Sequence, residues 1–191
     1  MGAAYGTYFD NLLTSGSNRS LRSLGPAKAG PLTIRYVQAA KKLFESLDSY
    51  MSYLEAHQSK FPEHIYQFAA DESRHNLQSP HSLHDSWLSS LSIKEPRNTG
   101  SEITAWPNIE LILLGQMHDR NISLLYTGVH SYKIVGAKNP YNWADTFHGD
   151  IDAHNITLGS QVTFVHEISF VSGSKILIEF EGFQCTEVAC T

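Results

Sequence analysis

Cysteine is almost missing from this chain: Cys185 and Cys190 are the only two in 191 residues, and both fall in the last seven. A bridge between them would close a very short loop and constrain little, so a disulfide scaffold is excluded and free thiols are expected. Long apolar runs are missing as well. No stretch approaches the roughly eighteen apolar residues of a membrane-crossing helix. The start, Met1-Gly2-Ala3-Ala4-Tyr5-Gly6, has no charged leader before an apolar segment, and Gly6 stands where a myristoylation signal needs Ser or Thr. The expectation is a cytoplasmic protein without a membrane partner. Charge of one sign is scarce too. Fourteen Lys and Arg stand against 19 Asp and Glu, for a net charge of −5, which argues against a nucleic-acid partner. Arg19, Arg22, Lys28 and Arg35 cluster near the start and read as a solvated arm.

Signature motifs of familiar enzymes are also missing. There is no G-x-S-x-G, and Gly25–Gly30 lacks the Lys-Ser/Thr ending of a phosphate-binding loop. Ser172-Gly173-Ser174-Lys175 has the letters S-x-x-K but spans a turn rather than opening a helix.

What is present is an ordinary globular composition, 41% hydrophobic and 17% charged. Residues 1–32 read as an N-terminal arm or loop, Gly-, Ser- and Pro-rich from 14 to 31, and residues 33–191 as a single α+β domain. Ile34, Val37, Leu43, Phe44, Leu47, Tyr50, Met51 and Leu54 recur at spacings of three and four. With Thr33 as cap and Lys41/Glu45 one turn apart, they predict one long helix over 33–57, closed off by Pro62. Residues 65–69 fit a short strand or a helical turn. Leu83, Trp87 and Leu91 fit a helix and a strand equally, and 81–93 is read as a strand or bent strand. From residue 102 on, strand-prone runs follow one another: 109–114, 122–129, 132–135, 148–158 and a terminal hairpin over 162–181. An antiparallel sheet of five or six strands, covered by the long helix, is the expected architecture.

Candidate chemistry is confined to a few polar clusters. In an extended strand His148, Asp150, Asp152 and His154 would share one face, with neighbours about 6.5–7 Å apart. A mixed imidazole and carboxylate set of this kind suits zinc or another divalent metal; the alternative is a charged outer face. His81 and His84-Asp85, with His75 upstream, form a second cluster, read as a loop in which Asp85 caps the next element. His166 alternates with Phe164 and Ile168 on the presumed inner face and reads as a core histidine, bonded to backbone or to a carboxylate such as Asp85 or Asp150. Tyr141 and Trp143, in the loop Asn139-Pro140-Tyr141-Asn142-Trp143, are candidate partner-binding residues.

The succession LHDSWLSSLSI, IELILLG, HDRNISLLYTGV and VHEISFVSGSKILIEFEGF, over about residues 83–183, resembles small uncharacterised bacterial proteins, some of them classed with immunity proteins of polymorphic toxin systems. The resemblance implies a compact sheet that binds a partner protein and implies no catalytic residue and no cofactor. The functional expectation is therefore a non-enzymatic protein-binding module. The alternative is a small metal-dependent hydrolase built on His148–His154.

Overall fold

Ser46 opens the helical part of the fold. Its hydroxyl accepts from the Ser49 N–H at 3.2 Å, and the Ser49 hydroxyl accepts in return from the Ser46 N–H at 3.2 Å. This reciprocal cap starts helix α1, Leu47–His57. The chain is seen here as a computed structural model that describes residues 44, 46–96, 106–142, 144–160 and 162–190, all within the unit Lys42–Thr191. The arm 1–32, Thr33, Lys41, Glu45 and Trp143 lie outside the described residues.

The long helix expected over 33–57 is corrected by the cap. Ser46 is extended (φ −155°, ψ 166°), and Phe44 stands outside the helix. Apolar spacing carried on through this break because Phe44 packs against Tyr50 and Tyr53 (centroids 4.9 and 5.2 Å) without being helical. Pro62 opens an element rather than closing one: helix α2, Glu63–Ala70, follows it and buries Ile65, Phe68 and Ala69 on one stripe.

Among the described residues eight strands make two four-stranded antiparallel sheets where a single sheet was expected. The first has the order β1-β2-β3-β8, built from β1 (Trp87–Lys94), β2 (Asn108–Leu114), β3 (Arg120–Thr127) and β8 (Gly182–Ala189). The second has the order β4-β7-β6-β5, from β4 (Ser131–Val135), β5 (Ile151–Leu158), β6 (Phe164–Phe170) and β7 (Lys175–Phe180). Two bends, side by side, divide what would otherwise be one surface. The chain passes from β3 to β4 through Gly128 and from β7 to β8 through Glu181, whose N–H donates to the Thr127 and Gly128 carbonyls at 3.2 Å each. Gly128 has φ +61°, and a Cβ there would come within 3.0 Å of the Glu181 side chain, so the bend suits glycine.

Period-2 apolar residues from both sheets face one core. Across the first sheet Ile109, Tyr126 and Phe183 are cross-strand partners, as are Leu111, Leu124 and Cys185, and Leu113, Ile122 and Glu187. Glu187 ends its row as a carboxylate, and Cys185 belongs to a strand, not to the loose tail that its position suggested. Strand β1 bulges between Leu88 and Ser90. The extra residue shifts its inner face, so Leu88 and Leu91, opposite the buried Leu113 and Leu111, share that face while Trp87, opposite Leu114, does not.

In the second sheet the rows Ile156–His166–Ile178–Tyr132 and His154–Ile168–Ile176–Ile134 run from edge to edge. The outer edge of β5 is covered by α1. The Tyr50 hydroxyl donates to the Ile156 carbonyl at 3.2 Å and accepts the Ile156 N–H at 2.8 Å, and the Tyr53 hydroxyl accepts the Leu158 N–H at 2.9 Å. Two phenols thus stand where a neighbouring strand would be.

Candidate functional site

The period-2 pattern brings Tyr126 of β3 and His166 of β6 inward from opposite sheets, and they meet. The Tyr126 hydroxyl lies 2.8 Å from His166 Nδ1. His166 Nε2 lies 3.3 Å from His154 Nδ1 on β5, and His154 Nε2 lies 3.4 Å from the Arg74 carbonyl. That carbonyl can only accept, so His154 must carry its proton on Nε2 and accept at Nδ1. His166 must then donate from Nε2 and accept at Nδ1, which leaves the Tyr126 O–H as its donor. One direction of donation therefore runs through the core, from Tyr126 through His166 and His154 to Arg74.

Each group is held neutral. Burial raises the Tyr126 phenol far above its ordinary range, with Cys185 adding to the effect. Burial, aided by His75, pushes His166 down to about 3. His154 is driven well below the usual histidine range, first by burial and then by His75, His166 and Arg74. His75 follows the helical turn Glu72–Arg74 and lies flat on His154, with centroids 4.3 Å apart and planes 5° apart. Its Nε2 lies 3.3 Å from the Ala69 carbonyl. Burial lowers it too, against the opposing effects of that carbonyl and of Asp71.

This chain ends at a cavity of about 330 Å³ between the start of α1, the turn at Arg74–His75, His84 and the first residues of β5. Phe44, Leu47 and Tyr50 make its apolar wall, and His75, His84, Asp152, His154 and Asn155 its polar one. His84 Nδ1 lies 2.8 Å from an Asp85 carboxylate oxygen, yet the geometry makes no hydrogen bond. Asp85 does not cap a helix. It sits in a left-handed turn (φ 62°), and its N–H donates to the Ile151 carbonyl at 3.0 Å. The cavity offers imidazoles and one exposed carboxylate, Asp152. Its two lining hydroxyl residues are both engaged, Ser46 in the helix cap and Tyr50 with the Ile156 backbone.

The four residues weighed as metal ligands go to different places. β5 begins only at Ile151, and a bulge between Ile151 and Ala153 breaks the regular alternation. Asp152 is left outside while His154 turns in. His148 Nδ1 pairs with the Ser174 hydroxyl at 2.9 Å, and Asp150 accepts the Trp87 indole N–H at 2.5 Å. Among the described residues no group of three or more His, Cys, Asp or Glu stands where it could share a metal ion. His166 bonds neither Asp85 nor Asp150; tyrosine and histidine are its partners instead. Alternation in the sequence places His166 on the inner face but does not tell which strands lie opposite each other, and His75 lies in a segment without a clear period.

A second polar cluster closes the far end of the first sheet. Glu187 accepts from Arg74 Nη1 at 2.5 Å and from Arg120 Nη1 at 3.0 Å, and lies 2.9 Å from His81 Nδ1. Arg74 Nε, 3.6 Å from Asp71, is left without a hydrogen bond. Tyr141 is 83% exposed.

No protein-family model, curated protein or solved structure matches this chain. Its function must be read from its own surface and interior.

Proposed function

We propose that this chain is a non-enzymatic protein-binding module, immunity-like in kind, and that its partner protein docks along β4. One observation supports this most directly. The inner-face rows of the second sheet are buried at Ile176 and Ile178 but run out onto β4 at Tyr132 and Ile134, which are 47% and 43% exposed. All five residues of β4 are exposed. The opposite edge, β5, is taken up by Tyr50 and Tyr53, whereas among the described residues β4 pairs only with β7. An open, apolar strand edge is what a partner's strand adds to, with main-chain bonds giving affinity and alternate side chains giving specificity. Exposed Phe147 lies beside Gly136, just past the end of β4, and Tyr141 extends the same loop. Aromatic rings of this kind suit a contact surface.

The test is binding of the purified chain to the toxin protein encoded beside its gene, measured by calorimetry. Tyr132→Lys and Ile134→Lys should weaken binding by about 100-fold or more, as expected for loss of central anchors, with little change in thermal stability. Wild-type affinity in both variants, or no association of the wild type, would remove the proposal.

A further inference from the structure

The stacked and bonded imidazoles also join the helical segment to the second sheet. His75 follows α2, His154 belongs to β5 and His166 to β6. Tyr50 of α1 meets the His75 ring edge-on at 5.7 Å, and Phe68 of α2 meets His166 the same way at 6.2 Å. We infer that His75, His154 and His166 form an acid-released clasp, which holds the segment Leu47–His75 on the sheet while the rings are neutral and frees it when they gain protons.

The hydrogen-bond order explains why the bound state cannot take up those protons. A proton on His154 Nδ1 would face the N–H of His166. Relief requires His166 to switch tautomer and donate to the Tyr126 oxygen, which leaves the buried Tyr126 O–H without an acceptor. A proton on His75 would place a positive charge flat against His154. The surrounding ionisable groups do little to help. Asp71 favours a charge on His75, but Arg74 opposes one on His154. Glu187 is occupied by Arg74, Arg120 and His81. Tyr50, Tyr126 and Cys185 are raised by burial and stay protonated. Asp152 and His84 face the cavity, and neither forms a hydrogen bond with the clasp. Once released, each ring regains an ordinary histidine affinity near 6.5.

The sign follows from linkage. The bound rings stay neutral, so the stability they confer is complete above the unfolded histidine range and is lost progressively as pH falls through it towards their depressed values. For His154 and His166, the two rings held furthest below that range, one proton each on release should raise the opening constant about 600-fold between pH 7 and pH 5. The bound carboxylates contribute little to this window, because their unfolded values lie below it.

Amide hydrogen exchange on the full chain, read residue by residue after correction for intrinsic rates, tests the clasp. Amides of α1 and α2 should lose protection by that factor, ahead of those in β2 and β3. His154→Gln keeps an acceptor towards His166 and a donor towards Arg74 but cannot titrate; it should cut the rise to about 30-fold. His75→Phe keeps the stacked ring without its proton and should also flatten the profile. An unchanged pH dependence in either variant, or equal loss of protection in helices and sheets, would overturn the clasp. Binding at β4 is read separately, so either proposal can fail alone.

Discussion

The imidazoles of His75 and His154 lie parallel, 4.3 Å apart, and among the described residues no carboxylate is hydrogen-bonded to either ring. A buried polar cluster without ions holds together only if every member keeps its role as donor or acceptor. The interior of this protein is therefore sensitive to single-atom changes.

Tyr126→Phe removes one oxygen and leaves His166 Nδ1 buried without a donor. The expected loss is about 1–3 kcal/mol, read as a lower midpoint in urea with an unchanged slope. A wild-type midpoint would mean that the hydroxyl contributes nothing.

Tyr50→Phe keeps the ring against Phe44 and His75 but deletes both bonds to Ile156. Stability should fall by about 1–3 kcal/mol, and the Ile156 amide should exchange faster than those of β3. The same variant uncovers the edge of β5 and should raise aggregation at high concentration, measurable by light scattering.

Two turn glycines should behave differently. Gly149 has φ +72°, and a Cβ there would lie 2.6 Å from Val171 and 2.9 Å from the Asn139 side chain; at Gly173, with φ +86°, it would meet nothing within 4 Å. Gly149→Ala should cost about 2–4 kcal/mol, since left-handed strain and overlap add, and Gly173→Ala about 1–2 kcal/mol from strain alone. Thermal melts of the two variants compare them directly; equal losses would refute the overlap.

Burial pushes the Cys185 thiol up to about 11, and its strand position leaves it half-buried, whereas Cys190 is exposed. At pH 8 an aromatic disulfide reagent should modify Cys190 quickly and Cys185 slowly, with the difference abolished in denaturant. Peptide mapping of the labelled sites reports the order.

Glu187 has a pH signature of its own. Burial alone would raise its carboxyl, but hydrogen bonds from His81, Arg120 and Arg74 outweigh it and hold the group low. Its contribution is complete above the ordinary glutamate range and is lost as pH falls through it. Glu187→Gln should therefore lower the urea midpoint at pH 7, and the gap from wild type should narrow towards pH 3 and in high salt. A gap independent of both would assign Glu187 a purely steric role.

Several of these features were legible in the sequence and others were not, for identifiable reasons. The hairpin of β6 and β7 and the inward position of His166 follow from alternation, and β2 and β3 from runs of strand-prone residues. Helix α1 was overextended because the apolar spacing of Phe44 and Leu47 continues across the cap at Ser46. Strand β8 was hidden because Glu187 occupies an inner-row position where an apolar residue would have signalled a strand. The shared face of His148, Asp150, Asp152 and His154 failed at a bulge, which alternation cannot reveal. The meeting of Tyr126 with His166 depends on how two sheets are brought together, and nothing local encodes that.

The paired bends at Gly128 and Glu181 carry a consequence for anyone who would divide this protein. Each sheet owns half of two continuous ribbons, so a cut between the sheets severs both ribbons at their mutual hydrogen bonds. The first sheet would lose β8 from beside β3, and each sheet would lose the other's half of the common core, so neither fragment should fold alone. A split version capable of reassembly should instead be opened at a surface turn such as Ser172–Gly173, where both ribbons keep their full length and the two pieces can re-pair across β6 and β7.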